Sequence, residues 1–177
     1  IGLREANPKA QLRVLWLNAW FDPAREREAA QTLINQGADV LTNHSGSTAV
    51  VQAAQEQFKT RGTRVIAYQS DMLAFAPDAQ LAAVTHHWGS HYTNVAQAVL
   101  LKQWKATPVW GGMKDDLVQL SALHPRVPQD VRALIEARRK AIIGGSLKPF
   151  AAPLADNEGK PRLASGALDD AAISTMN

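Results

Sequence analysis

Short apolar runs alternate with helical patterns from residue 12 to residue 104, and this alternation constrains the fold more than any other feature of the sequence. The runs at 12–17, 38–42, 64–68 and 81–85 indicate buried strands, and the segments 23–36, 48–61 and 92–104 carry apolar residues at helical spacing. Their connections are short, so right-handed crossovers are expected. The pattern predicts an α/β fold in which helices cover both faces of a parallel sheet.

The stretch 12–22 has the most chemical content in this pattern. Its strand gives way to Trp20, Phe21 and Asp22 in a loop. Asp22 and Pro23 suit the N-cap and first position of a helix. Ligands of open α/β sheets bind beyond the carboxyl ends of strands, and two flat rings beside a carboxylate suit a planar, hydrogen-bonding ligand. Two other interpretations stay open: Asp22 only caps the helix, or one of the aromatic side chains belongs to the core.

Three later strand ends also carry polar or aromatic side chains. They are His44-Ser45, Gln69-Ser70-Asp71 and His86-His87-Trp88. Because a parallel sheet brings its carboxyl ends to one edge, these loops and the loop at 20–22 are expected to converge on a small-molecule cleft. Asp71 could instead be a turn former. The convergence predicts binding and does not by itself predict catalysis.

No assembled catalytic or metal centre is visible in the sequence. His87 and His91 are four residues apart, which on a helix could place two imidazoles on a metal, but no carboxylate completes the pattern. The serines at 45 and 47 lack the Gly-x-Ser-x-Gly elbow, and Gly111-Gly112 lacks the strand and helix of a phosphate loop. The chain has no cysteine, hence no disulfide framework, thiolate ligand or thiol nucleophile. A protein that is not an enzyme, with no metal or cofactor, is expected.

Composition excludes several other classes of protein. Of 177 residues, 46% are hydrophobic and 20% charged, which is enough to build a core and argues against disorder. The net charge is +3, and the densest basic run, Arg138-Arg139-Lys140, lies on a helix predicted at 129–143, where a solvated face is the simpler interpretation. The charges at 25–28 are also expected mostly on the solvated face of their helix. No nucleic-acid partner is expected, and no apolar run approaches the roughly 20 residues of a membrane-spanning helix.

The two ends of the chain differ in character from its centre. Residues 1–9 suggest the end of a helix, and the chain starts without methionine or a signal-like segment, so a missing amino-terminal part is expected. Beyond 107 a crossover strand near 116–120, the helix at 129–143 and a hairpin around Asp156-Asn157-Glu158-Gly159 are predicted. The expected organisation is a helix end at 1–9, an α/β lobe at 10–107, and a crossover and tail at 108–177.

Five motifs, taken in order, resemble the basic membrane protein (BMP) family. They are Asn-Ala-Trp-Phe-Asp-Pro-Ala-Arg-Glu-Arg-Glu-Ala-Ala at 18–30, Gln-Gly-Ala-Asp-Val-Leu at 36–41, Ala-Tyr-Gln-Ser-Asp-Met at 67–72, Trp-Gly-Ser-His-Tyr at 88–92 and Trp-Gly-Gly-Met at 110–113. Members of the family are substrate-binding lipoproteins of bacterial ABC importers, with purine nucleoside and adenine receptors among them. The resemblance implies a type I periplasmic-binding-protein fold, of which this chain holds the second lobe and the carboxyl-terminal part.

The resemblance also implies a ligand, a partner and a location. The ligand would be of purine type, and the partner would be the permease of an ABC importer. The protein would work in the periplasm or on the outer face of the bacterial membrane, either soluble or held by a lipid anchor in the missing amino-terminal part. The main rival is the ligand-sensing effector domain of a transcription regulator, which uses the same fold. An α/β enzyme that uses His86, His87 or Asp71 is a third, weaker interpretation.

Individual site residues follow from the matched motifs. Trp20 falls where family members place an aromatic ring against the purine, and Asp22 begins the shared Asp-Pro-Ala helix start. Gln69 replaces an aspartate that grips ribose hydroxyls in nucleoside receptors, and His86 lies near a lysine position. Both departures favour a nucleobase such as adenine over a nucleoside. The remaining matches are an aspartate and two tryptophans of the family, at Asp71, Trp88 and Trp110. His44 rests on its loop position alone.

Overall fold

The computed structural model describes residues 1–156 and 158–175, so Asn157 of the predicted turn lies outside the described residues. The chain forms two compact units, 13–134 and 1–12 together with 135–177. The predicted organisation into 1–9, 10–107 and 108–177 stays a prediction. The helices are α1 Gly2–Ala6, α2 Pro23–Asn35, α3 Ala49–Arg61, α4 Gly89–Leu100, α5 Gln129–Ile143 and α6 Asp170–Ser174, and the strands are β1 Val40–Thr42, β2 Arg64–Gln69, β3 Gln80–His86, β4 Val118–Leu120, β5 Leu154–Ala155 and β6 Pro161–Leu163.

A four-stranded sheet in the order β1-β2-β3-β4 forms the centre of the 13–134 unit. The first three strands pair in parallel, and β4 is antiparallel to β3. The α/β class with a helix-flanked sheet is therefore confirmed, and the sheet is mixed because the segment after α4 returns along β3. The parallel part brings the carboxyl ends of β1, β2 and β3 to one edge.

Local sequence signals explain why α2 and α3 form where they do. The Asp22 carboxylate accepts a hydrogen bond from the Arg25 backbone N–H at 3.1 Å, and Pro23 occupies the first helical position. Gly62 ends α3 with φ of 71°, a left-handed conformation that glycine adopts without strain.

The two helices bury small aliphatic side chains together with the inner strands. The core of this unit comprises Ala30, Ile34, Leu41, Val50, Val51, Ala53, Ala54, Val65, Ala67, Met72, Ala76, Ala79 and Ala83.

The strand predicted at 12–17 is wrong, because that segment has no regular secondary structure. Val14 is 56% exposed and Trp16 is 84% exposed. An apolar run of this kind becomes a strand only when a neighbouring strand satisfies its backbone N–H and C=O groups. Residues 12–17 have no such partner within the described chain. Their apolar composition suits a strand, but the neighbouring strand that they would need is absent from the described residues.

The helix predicted at 92–104 is present with shifted bounds, and its apolar residues are not buried. The helix begins three residues earlier, at Gly89, and ends at Leu100, before Lys102 takes a positive φ of 55°. None of its residues is buried, and Leu100 and Trp104 are 83% and 52% exposed. Amphipathic spacing therefore predicted the presence of a helix correctly and failed to predict packing.

The carboxyl-terminal predictions hold better. The helix α5 occupies 129–143 as predicted, and β5 and β6 pair in antiparallel fashion as the predicted hairpin. The Asp156 carboxylate organises that hairpin. It accepts from the backbone N–H groups of Lys160 and Glu158, both at 2.9 Å, and from Arg162 Nε at 2.8 Å.

We expect Asp156 to titrate below the ordinary aspartate value of 3.8. The backbone N–H of Lys160 contributes most to lowering its pKa, and Arg162 and the Glu158 N–H lower it further, whereas partial desolvation opposes them. A pKa lowered by folding means that this carboxylate stabilises the hairpin above its unfolded pKa, and that the stabilisation is lost as pH falls through the folded value. A ¹³C carboxyl NMR titration measures it, with Arg162→Gln as a control that should raise the midpoint. A midpoint at the ordinary value would contradict the assignment.

Candidate functional site

Six rings from four segments lie in sequence along one edge of the sheet, and we refer to them as the aromatic row. Its members, in spatial order, are Trp20, His44, Tyr68, His86, Trp88 and Tyr92. The ring centroids of successive members are 5.8, 4.4, 5.3, 6.2 and 6.0 Å apart. His91 flanks the far end, 6.0 Å from Trp88 and 5.8 Å from Tyr92.

The sheet places the central rings of this row. His44 follows β1 by two residues, Tyr68 is the penultimate residue of β2, and His86 ends β3. Because these strands are parallel neighbours, their carboxyl ends lie side by side, roughly 4.8 Å apart. His44 stacks on Tyr68 with 29° between the ring planes, and His86 meets Tyr68 edge-on at 89°. Both arrangements are favourable for aromatic pairs.

Trp20 joins the row through a close approach of two loops. The Gly46 backbone N–H donates to the Trp20 carbonyl oxygen at 2.8 Å. A Cβ atom at position 46 would lie 3.2 Å from that oxygen and 3.5 Å from the Phe21 ring, so glycine suits this position. The Trp20 side chain is 75% exposed and the Phe21 side chain is 68% exposed. Neither side chain belongs to the core, so the alternative in which one of the two aromatic residues is a core residue is wrong.

Asp22 serves as the N-cap of α2, as predicted. One carboxylate oxygen accepts from the Arg25 N–H, and the other lies 3.4 Å from Arg25 Nε. Both carboxylate oxygens of Asp22 therefore face Arg25, and Asp22 lies beside the aromatic row without being a member of it. A direct role in ligand binding stays a prediction for Asp22, and for Phe21 beside it.

The loop after β2 is held by a buried glutamine. Gln80 donates from Nε2 to the Asp71 carboxylate at 2.6 Å, and its Oε1 accepts from the Met72 N–H at 3.2 Å. Asp71 also accepts from the Leu73 N–H at 3.1 Å, which is the geometry of a turn former. Gln69 is exposed and has a positive φ of 72°, a conformation that costs free energy for a residue with a side chain. The loop is thus fixed by Gln80, and its exposed polar side chains stay candidate ligand contacts.

The structure brings some of the sequence-predicted residues together and separates others. Trp20, His44, His86 and Trp88 are members of the aromatic row, and Gln69 is the chain neighbour of Tyr68. Trp110 is 58% exposed and is not a member of the row. Its place in a ligand site stays a prediction, as does that of every residue named from the sequence.

Tyr68 and Tyr92 were missed as candidate site residues, and His91 was considered only as a possible metal ligand. Tyr68 was assigned to its strand, although its position next to the strand's carboxyl end could have indicated a place in the row. His91 and Tyr92 lie in the first turn of α4. The family motifs at 67–72 and 88–92 contain all three residues. The resemblance to the family could therefore have identified them, whereas the spacing of strands and helices did not.

Two further features concern metal binding and the length of the helices. His87 Nδ1 lies 3.9 Å from an Asp116 carboxylate oxygen at an exposed position, and the described residues contain no cluster of three or more side chains suited to holding a metal. Within 1–156 and 158–175, every helix is too short or too polar to cross a bilayer.

Known proteins resemble this chain in both sequence and fold. The family model described as ABC transporter substrate-binding protein PnrA-like (Bmp) matches residues 1–149. A purine-binding protein of Brucella abortus is 40% identical over 178 aligned positions, which cover 100% of this chain and 49% of the relative. A protein of Haloferax volcanii, whose name provisionally gives it as an ABC transporter glucose-binding protein, is 32% identical over 89% of this chain and 39% of its own length. The chain thus spans about half or less of the length of these relatives.

Solved structures share the fold at lower identity. A solute-binding protein of an ABC transporter system from Aeropyrum pernix K1 superposes with a TM-score of 0.64 at 16% identity, over 88% of this chain and 51% of its own. A transcriptional activator of the comK gene from Bacillus halodurans gives a TM-score of 0.62 at 21% identity, over 76% of this chain and 47% of its own. At such identities these likenesses show the fold alone.

Proposed function

The chain belongs to the PnrA-like (Bmp) family of ABC transporter substrate-binding proteins, and from this membership we propose that it forms one wall of a cleft that captures a purine-type ligand for import. The ligand would be a nucleobase such as adenine, or a nucleoside. The chain would bind and release it without chemical change, and would deliver it to the permease of an ABC importer. Its place would be the periplasm or the outer face of the membrane, with or without a lipid anchor.

The aromatic row carries this proposal. Stacking of a base on an aromatic side chain contributes about 1–3 kcal/mol and needs only a flat, accessible ring. Trp20 and Tyr92 are 75% and 63% exposed, so ring surface is accessible at both ends of the row. The name of the Brucella abortus relative supports the same ligand class. The polar side chains at 44, 69, 71 and 86 would choose among bases by hydrogen bonding.

Replacing Trp20 by alanine in the intact protein is expected to weaken adenine binding by about tenfold, because one stacking surface is removed. Trp16→Ala is the matched control, since Trp16 is at least as exposed as Trp20 (84% against 75%) and lies outside the row. Isothermal titration calorimetry with adenine, guanine, xanthine, adenosine and glucose measures both variants and the parent protein. Binding of a purine with loss in only the Trp20 variant supports the proposal. Binding of glucose alone, or of no purine at all, would overturn the ligand assignment.

The comK activator shares this fold, so a regulatory effector domain is the second candidate function. Uptake of labelled adenine by cells that lack the gene separates the two candidates. An importer component predicts reduced uptake. A regulator predicts normal initial uptake together with altered transcription when adenine is supplied.

A further inference from the structure

A buried glutamate lies behind the first ring pair of the row. Glu26 is 0% exposed, although the sequence pattern placed it on the solvated face of α2. One carboxylate oxygen accepts from the Asp22 backbone N–H at 3.2 Å, and the other accepts from the Ser47 hydroxyl at 2.7 Å. Within the described residues, no lysine or arginine side chain forms an ion pair with it.

Two helix N-termini supply the compensation that a buried carboxylate requires. Glu26 lies in the first turn of α2, and the Ser47 hydroxyl accepts in turn from the Ala49 N–H at the start of α3, at 3.1 Å. Unpaired N–H groups and the positive ends of helix dipoles stabilise a negative charge. A buried carboxylate that depends on fixed donors also holds those donors in place, because an unsatisfied charge in the interior is costly.

The donors that Glu26 holds belong to the two loops that carry Trp20 and His44. Asp22 is the last residue of the first loop, and Ser47 lies one residue before the N-cap of α3 in the second. The Gly46 N–H and the Trp20 carbonyl oxygen form the remaining hydrogen bond between the loops. Fixing the backbone on both sides fixes where the two rings lie, with their centroids 5.8 Å apart.

We infer that Glu26 is a positioning residue for the ligand site: it sets the separation of Trp20 and His44 by joining their two loops from behind. This inference rests on the proposed function, because it assigns a purpose to the row. It requires no contact between Glu26 and the ligand, since the carboxylate is fully buried.

A double-mutant cycle tests the inference in the intact protein with adenine as the probe. Glu26→Gln keeps the size of the side chain and removes its charge, and Ser47→Ala removes only the hydroxyl that joins the loops. Each is expected to weaken adenine binding on the order of tenfold, the scale of one lost stacking contact. In a Trp20→Ala background the same substitutions should have little further effect, because the ring that they position is already absent. Full additivity of the two changes would overturn the inference.

Glu56→Gln is the matched control for general weakening of the helix pair. Glu56 forms an exposed ion pair with Arg27 and so also links α3 to α2, away from the row. An unchanged adenine affinity is expected. A loss equal to that of Glu26→Gln would mean that any α2–α3 link matters, which also overturns a specific role for Glu26.

A ligand-free measurement separates this inference from the purine proposal. In protein labelled with 5-fluorotryptophan, the Trp20 ¹⁹F resonance is assigned by its loss in Trp20→Phe. His44→Ala should shift that resonance in the parent protein, and this shift should fall by half or more in Ser47→Ala. If adenine does not bind but this pattern is found, the positioning role stands and the ligand assignment falls. An undiminished shift overturns the positioning role whatever the ligand is.

Discussion

Replacing Tyr68 by alanine is expected to weaken adenine binding by about 30-fold, which corresponds to roughly 2 kcal/mol. Tyr68 is one of the two central rings of the aromatic row, stacked on His44 at 4.4 Å and in edge contact with His86 at 5.3 Å. Its removal takes away one ring and the surface that orders two others, so the loss should exceed that at Trp20. Calorimetric titration of the intact protein with adenine measures the change.

Two variants control for trivial causes of that loss. Tyr68→Phe keeps the ring and removes only the hydroxyl, and it should retain most of the affinity. Phe75→Ala removes an aromatic ring that is 48% exposed and outside the row, and it should have no effect. If Tyr68→Ala binds adenine as the parent protein does, the row is not the ligand surface.

Replacing Ile34 by alanine is expected to lower the free energy of unfolding by about 2–5 kcal/mol, because deletion of buried methylene and methyl groups leaves a cavity. Ile34 is 1% exposed and lies near the end of α2, in a core otherwise built mainly of alanine and valine. Such small side chains have little ability to close over a cavity. Urea denaturation followed by circular dichroism measures the difference.

Leu100→Ala is the control for that stability prediction. Leu100 has a similar volume and also lies at the end of a helix, but it is 83% exposed. Its replacement should change the free energy of unfolding by no more than about 0.5 kcal/mol. Equal losses in the two variants would show that the core of the 13–134 unit is not where the structure places it.

Local chemistry made much of the fold predictable. Asp22 and Pro23 specify the start of α2 through atoms within one helical turn, and Gly62 specifies the end of α3 through its own backbone freedom. Pairing is not local, and this is why the run at 12–17 misled. Its residues have a preference for extended backbone, but a strand also needs a neighbouring strand to pair with. The local sequence does not indicate whether such a neighbour exists.

The site followed the same division between local and non-local information. Convergence of His44, His86 and Trp88 was predictable, because strand order and direction bring the carboxyl ends of parallel strands together. The contribution of Tyr68 was not read from the spacing, since contact between ring faces depends on side-chain orientation. The burial of Glu26 was likewise hidden, because its neighbours Arg25, Arg27 and Glu28 all suggested a solvated face.

The separation between successive rings of the aromatic row is set by the distance between neighbouring strands. The centroids of His44, Tyr68 and His86 follow one another at 4.4 and 5.3 Å, close to the roughly 4.8 Å that separates neighbouring strands in any sheet. Tyr68 and His86 stand on β2 and β3, and His44 stands two residues beyond β1, so exchanging one for another ring leaves the anchor points of its neighbours unchanged. Under the proposed function, ligand preference could therefore be altered one strand at a time, while the sheet keeps the spacing between the rings.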